Sequence, residues 1–494
     1  MDMTESITLY CPVCDRHYQP AEGLWGCPRA GEPGGQKGQE HILQKRISGF
    51  QAGKPGAGRS SGQRVDPYSL WQDLMASRYI LTGSEYSDLL RRLQQKLIAL
   101  EGDGFFETPL FEEGEITAAA GLERGRIWIK DETHNITGSH KGRHLFATLL
   151  YLEALRLRKK QREKDILAIY SCGNAALAAS AVARAGGYEL HTFVPREVST
   201  VVERMLIERG AVVEKIERSS VGRGDPCYLA FREAVEGKGW LPFTCSGNDN
   251  WSNIEGGETL AWEFISRLEE EDRRLDKMII QVGGGALGRS VIEGWLEFYR
   301  RGVVCYLPEF VACQPEGGFP FVRAYYLALK RIAQHNGLAC DLHYNRQGDP
   351  RQEAAEIREY SKSGQRQIDQ IIQFCRQNFD KPAIKKSLKY IRDNRQEFMW
   401  AWDAESPHSQ AEGILDDITY DWYYLLEGIL QSGGRAVVIP EEKIARAYEL
   451  VRQNTELKVS ATGTAALAGL LELRSTSTIN PDAGVGLFFT GIDR

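Results

Sequence analysis

Short apolar runs alternate with stretches of helical period along most of this chain. Strands are expected at Arg126 to Lys130, Ile166 to Ser171, Glu189 to Val194, Ala211 to Ile216 and Met278 to Val282. Further runs at Phe310 to Cys313, Ala436 to Ile439 and Val485 to Phe489 extend the series. Most are bounded by Gly, Pro or polar residues, with helical patterns between them, which predicts an α/β fold with largely parallel sheets. Helices are expected around Ser69 to Ser77, Ser84 to Leu100 and Lys141 to Leu152. The segment Arg323 to Glu412 differs. It is rich in Arg, Lys, Gln and Glu and places Ile357, Tyr360, Ile368, Ile371, Ile372 and Phe374 at helical spacing. Amphipathic helices with a charged face account for it, and a substrate lid or subunit contact is the sharper alternative.

Near the start, Cys11-Pro12-Val13-Cys14 is followed by Cys27-Pro28-Arg29-Ala30. A CxxC turn can place two thiolates on one metal, and a second such turn would complete a tetrahedral zinc site. Here Ala30 stands at the fourth position, so the pattern is broken. His17 or His41 could supply the missing ligand, or the knuckle is metal-free. Gly49 to Gln63 is glycine- and serine-rich with almost no apolar content and reads as a flexible connection.

Bulk properties narrow the partners. With 494 residues, 42% hydrophobic and 26% charged, the composition is that of a soluble globular protein with two or three domains. A net charge of −6 calls for neither nucleic acid nor an anionic membrane as partner. The apolar runs are too short to span a bilayer. The first residues carry no basic region or apolar core, so reduced thiols and a cytoplasmic location are expected, and the ten cysteines do not suggest a disulfide framework.

Four elements carry candidate chemistry. Thr137-Gly138-Ser139-His140-Lys141 is a polar turn leading into a helix, with Ser139 a candidate cap. A lysine there is either a surface residue of a capped first turn or an amine that bonds an aldehyde. Ser171-Cys172-Gly173-Asn174-Ala175 follows a strand and opens an Ala-rich helix. It is either a simple connection or an anion site beside a flat ligand, with Asn174 able to donate to a phenolate oxygen. Gly283-Gly284-Gly285-Ala286-Leu287-Gly288 also lies between strand and helix, where bare backbone N–H groups form an anion nest. It matches neither the P-loop nor the dinucleotide fingerprint, and one monophosphate fits best. Thr490 follows the last strand, where a hydroxyl can hydrogen-bond a pyridine nitrogen.

In this order the four elements resemble the fold-type II family of pyridoxal-phosphate enzymes, and within it the threonine synthases. The resemblance runs from about Leu70 to Arg494. It includes Glu107-Thr108-Pro109-Leu110, Lys130-Asp131-Glu132, Glu255-Gly256 with Thr259 and Glu263, Gln314-Pro315-Glu316-Gly317, and Thr462 to Gly469. It implies two open, mostly parallel sheets flanked by helices, preceded by the small cysteine knuckle. The implied division is 1–48 for a degenerate zinc-ribbon-like knuckle and 49–65 for a linker. A large domain would take 66–165 and 275–494, with a helical insertion at about 323–412, and a small domain 166–274.

The resemblance assigns Lys141 to the cofactor aldehyde, Asn174 to its 3′-oxygen, Gly283, Gly284, Gly285, Ala286 and Leu287 to its phosphate, and Thr490 to its ring nitrogen. Ser139, His140, Ser171 and Cys172 would face a small amino-acid substrate. It implies a lyase or transferase working by β,γ-replacement on a phosphorylated or otherwise activated amino acid, in a homodimer. The alternatives are β-replacement or β-elimination, and a non-catalytic binding protein of the same fold. A γ-phosphate leaving group calls for a second anion site, with Lys130, Arg143, His144 and Arg289 as candidate contributors. Departures from the family pattern are His140 for the usual Phe, Gly142 for the Asp of threonine synthases, and Cys172 for the common Ser or Thr.

Overall fold

The computed structural model describes residues 6–30, 41–49, 64–217, 225–344, 350–402 and 408–494. Most of the linker expected at 49–65 lies outside the described residues. Every strand expected from the apolar runs is present, its ends shifted by at most a residue or two. The knuckle contributes β1 (Ser6–Cys11), β2 (Arg16–Tyr18) and β3 (Gln44–Ser48), an antiparallel sheet of order β2-β1-β3. The main body adds β4 (Leu110–Glu112), β5 (Arg126–Asp131), β6 (Leu167–Tyr170), β7 (Leu190–Pro195) and β8 (Val212–Ile216). It continues with β9 (Leu241–Pro242), β10 (Lys277–Gln281), β11 (Glu309–Pro315), β12 (Arg435–Ile439) and β13 (Gly484–Phe489).

These strands form two open sheets. One has six strands in the order β12-β11-β10-β13-β5-β4 and is parallel except for β4 at its edge. The other is parallel throughout, in the order β8-β7-β6-β9. Helices cover both faces of the larger sheet. Met278, Ile280 and Phe488 face one core cluster, and Ile279, Leu487 and Phe489 face another. Burial on both faces is why β10 and β13 read as continuous apolar runs rather than alternating ones. The last strand, β13, lies inside the sheet between β10 and β5, so residues far apart in sequence share one end of it.

Three expectations about helices need correction or extension. The span Ser69 to Ser77 is not one helix but a turn, Pro67–Leu70, followed by 3₁₀ turns at Gln72–Leu74 and Ala76–Tyr79. Met75 between them is extended, and the Ala76 N–H donates to the Glu255 carboxylate at 2.7 Å instead of closing a helical bond. The lysine helix runs further than expected, Lys141–Lys159, and Ser139 does not cap it. Ser139 is extended and bridges Gly491. The insertion is helical as expected, with Pro320–Asn336, Pro350–Ser363, Gln365–Asn378 and Pro382–Asp393. Its apolar stripe of Ile368, Ile371, Ile372 and Cys375 is buried in the same core as the sheets.

A buried helix, Ser252–Glu270, packs against the lysine helix. A Cβ on Gly256 would collide with the Arg143 carbonyl, so this close approach requires glycine there. No described helix is long and apolar enough to cross a membrane.

Candidate active site

A cavity of about 300 Å³ opens at the carboxyl ends of β6, β10 and β13, between the two parallel sheets. This is where open α/β sheets place ligands, because loops leave the strands there and helix N-termini point inward. Lys141, Asn174, Gly283, Gly284, Gly285, Ala286, Leu287 and Thr490 all line it. So do His140, Ser171 and Cys172, with Cys172 exposed. Ser139 does not. Its hydroxyl is fully buried without a hydrogen-bond partner.

Lys141 is the first residue of its helix and is half-buried. Among the described residues its ammonium has no salt-bridge partner. The preceding His140 is held through both backbone and ring. Its N–H donates to the Thr490 carbonyl at 3.3 Å, and its Nδ1 lies 3.2 Å from the same oxygen. A carbonyl can only accept, so Nδ1 carries the proton and Nε2 keeps a lone pair. That Nε2 is buried and unpartnered. Burial and the neighbouring Lys141 charge hold this imidazole well below its usual pKa, so it is neutral.

The Thr490 hydroxyl is oriented by a residue outside the sequence-derived set. Gln281, the last residue of β10, donates its Nε2 to Thr490 Oγ1 at 2.8 Å and to the Phe488 carbonyl at 3.1 Å. With its lone pair engaged in this way, the threonine hydroxyl is free to donate its own proton into the cavity. A single polar residue ending the apolar run Met278 to Val282 was the available signal for Gln281.

The glycine loop is shaped by the segment Ile414 to Asp421. Thr419 Oγ1 donates to the Gly283 carbonyl at 2.9 Å, and the Asp421 N–H donates to the Gly284 carbonyl at 3.0 Å. A Cβ on Gly283 would collide with the Asp416 carboxylate and come within 3.0 Å of Ile414 Cα. Gly285 has φ +100°, in the left-handed region that favours glycine. With its carbonyls satisfied from behind, the loop presents N–H groups at the start of the helix Ala286–Arg300. The Asp416 carboxylate lies close by, and the Gly284 N–H favours its charged form.

Asp416 is half-buried. Burial pushes its carboxyl up to about 6, Asp225 and Asp417 push the same way, and Lys141 and the Gly284 N–H oppose them. Asp225 and Glu412 line the cavity as well, and Tyr170 and Tyr420 close one side, their rings 5.7 Å apart.

The four residues expected to form a second anion site are elsewhere. Arg143 is buried in a bidentate pair with Glu132 (Nε to Oε2 2.8 Å, Nη2 to Oε1 3.0 Å) and also pairs with Glu263. Lys130 pairs with Glu263 and donates to the Thr108 carbonyl at 2.6 Å. Arg289 is held by Asp421 at 2.9 Å and Glu293 at 2.7 Å. His144 donates from Nδ1 to the Asn253 carbonyl at 2.9 Å, and burial with the nearby Lys141 lowers its pKa to about 3. Isolated buried charges would be too costly, so each of these cations is locked to its partners. They hold the framework beneath Lys141 rather than facing ligand. The resemblance motifs Thr108, Lys130, Glu132, Thr259 and Glu263 all belong to this buried web.

The sequence matches the pyridoxal-phosphate dependent enzyme family over residues 102–369. The chain belongs to this family. Among curated proteins it is similar to the threonine synthase of Methanocaldococcus jannaschii, 22% identical over 240 residues, covering 48% of this chain and 54% of that enzyme. The chain thus spans about half the length of this curated relative. Among solved structures it is similar to diaminopropionate ammonia lyase from Escherichia coli. There the TM-score is 0.53 at 14% identity, over 83% of this chain and 89% of that one. It is also similar to maize serine racemase, with TM-score 0.51 at 15% identity, over 82% and 93%. These likenesses establish the fold-type II architecture.

The residues present fit pyridoxal phosphate. The cradle presents bare N–H groups at a helix start, a buried hydroxyl has a free proton to give, and a lysine without a salt bridge enters the same cavity. Gly283 to Leu287 would hold the phosphate, Asn174 the 3′-oxygen, Thr490 the ring nitrogen and Lys141 the aldehyde.

Proposed function

We propose that this family member catalyses β-elimination or β-replacement on a small amino acid whose leaving group is neutral or cationic. The observation that carries this reading is the charge of the cavity wall. Asp225, Glu412 and Asp416 line it, and among the described residues Lys141 is the single lysine or arginine of the lining. A γ-phosphate would meet these carboxylates with no second cation among the described lining residues to hold it.

Bound there, pyridoxal phosphate supplies an electron sink for the charge left when the substrate α-proton departs. The protein supplies the rest. Lys141 takes the α-proton on its amine. His140, neutral and buried, forms the wall beside Lys141. The Ser171 hydroxyl and the backbone at the start of the helix Asn174–Gly186 receive its carboxylate. Thr490 donates to the ring nitrogen, and Tyr170 and Tyr420 limit the entry of water. A cytoplasmic homodimer belongs to the same proposal; sedimentation as a monomer would remove that part.

The second reading is threonine-synthase-like β,γ-replacement. Similarity to the archaeal threonine synthase favours it, and so does Arg494, whose guanidinium donates to Asn174 Oδ1 and the Thr137 carbonyl beside the cavity. Separate incubations of holoenzyme with serine, threonine, 2,3-diaminopropionate, O-phosphoserine and O-phosphohomoserine decide between them. Formation of 2-oxo acid and ammonia from an unphosphorylated substrate is the expected result. Phosphate release with threonine formation from O-phosphohomoserine alone would replace the first reading with the second.

A further inference from the structure

Far from the cavity, four side chains that the proposed chemistry does not use converge in the N-terminal knuckle. We propose that Cys11, Cys14, Cys27 and His41 bind one zinc ion, and that this ion clasps the knuckle onto the helices that carry Lys141 and the glycine loop. The candidate ligand atoms all lie within 4.8 Å of one another. Cys14 Sγ and Cys27 Sγ are 3.7 Å apart, and Cys11 Sγ and His41 Nδ1 are 3.6 Å apart. A zinc tetrahedron with metal–sulfur and metal–nitrogen bonds of about 2.3 and 2.0–2.1 Å has edges of about 3.8 Å between sulfurs and about 3.5 Å between sulfur and nitrogen. The separations therefore suit a metal. The same 3.7 Å is too long for a disulfide, whose sulfurs bond at about 2.0 Å.

The fold explains why His41 completes the set. Cys11 ends β1, Cys14 sits in the turn to β2, and Cys27 follows in the next loop. In the antiparallel pairing of β1 with β3, Tyr10 faces Gln44. His41, three residues before Gln44, thus reaches the Cys11 end of the sheet. The break at Ala30 is made good by tertiary structure. Tyr18 adds a hydroxyl 3.6 Å from Cys27 Sγ and 3.9 Å from Cys14 Sγ, placed to donate to thiolate sulfur.

The loops between these ligands are what dock on the enzyme body. The Pro20 and Leu24 carbonyls accept from Tyr151 of the lysine helix at 3.0 and 3.3 Å, and Leu24 also accepts from Trp251 Nε1 at 2.7 Å. The Ile42 carbonyl accepts from Tyr424 at 3.3 Å, and the Leu43 carbonyl from Arg289 at 3.4 Å. Lys45 lies 3.1 Å from Glu255 and 2.5 Å from Glu258. Three short strands supply little core of their own, and a metal is a usual remedy in modules of this size. Fixing the four ligands fixes the carbonyls that meet Tyr151, Trp251, Tyr424 and Arg289.

The test is elemental analysis of the full-length protein purified from zinc-supplemented medium, together with cobalt exchange. About one zinc per chain is expected, falling below about a tenth in Cys14→Ser and His41→Ala and staying at one in Cys305→Ser, an exposed cysteine outside the cluster. Cobalt should give the visible absorption of a tetrahedral thiolate site, at longer wavelength than the cofactor band. Wild-type protein that holds no zinc and gives no such cobalt spectrum overturns the proposal, as does zinc content unchanged in both variants. If the variants fail to fold, the wild-type metal content and cobalt spectrum still decide. None of these readouts depends on activity at Lys141.

Discussion

Two side chains at the cavity pull in opposite directions, and their variants should differ in kind. Removing the amine in Lys141→Ala should abolish the visible band of lysine-bound cofactor and turnover with it. The glycine loop should still hold the phosphate. An unchanged absorption spectrum would rule out this role for Lys141. Asp416 is the opposing case, because its carboxylate lies against Gly283 in the loop that would take the phosphate. Its carboxyl is pushed up to about 6 by burial, so it is neutral below that pH and charged above it. A charged Asp416 repels phosphate. Asp416→Asn should therefore bind pyridoxal phosphate more tightly than wild type above pH 6, and the two should converge as pH falls below 6. Equilibrium titrations of both proteins at pH 5.5 and pH 8 measure this. A variant that binds more weakly at pH 8 would show that Asp416 supports the cofactor instead.

The elements were more legible in the sequence than their connections. Strands such as Met278 to Val282 announce themselves because burial on both faces demands a continuous apolar run. The glycine loop was legible for a local reason too, since consecutive glycines after a strand have few other uses. Ser69 to Ser77 misled because its apolar spacing is helical, while its Ala76 amide is diverted to Glu255 of a distant helix. Asp416 was invisible because nothing local marks it, and only tertiary structure brings it against Gly283. Arg143 and Lys130 misled in another way: cations near a predicted site looked like anion ligands until Glu132 and Glu263 were seen to claim them.

That buried web makes a prediction for the helix it anchors. Glu263 meets both Lys130 and Arg143 with about 2% of its side chain exposed. Glu263→Gln leaves two buried cations short of an anion and should cost about 3–5 kcal/mol. Urea unfolding should show this as a lower midpoint with an unchanged slope. A loss under about 1 kcal/mol would mean that Glu132 alone satisfies the cations.

Across the whole molecule, the cavity is a seam rather than a pit in one layer. Ser171 and Asn174 reach it from the smaller sheet, and Gly283 and Thr490 from the larger. One apolar cluster runs without a break from Leu9 of the knuckle through Leu149 and Ile169 to Ile280, Phe488 and Ile371 of the insertion. A continuous core favours a single cooperative transition over separate melting of its parts. A cofactor that binds only the folded seam should then stabilise everything joined to it. With free pyridoxal phosphate about 100-fold above its dissociation constant, the gain is about 2.7 kcal/mol. Calorimetry of apoenzyme and holoenzyme should show one transition in each, moved upward as a whole by the cofactor. Lys141→Ala should keep part of that shift, because the loop still grips the phosphate. Two transitions of which the cofactor moves only one would mean that the sheets unfold independently, and that the seam is a hinge between separately stable bodies.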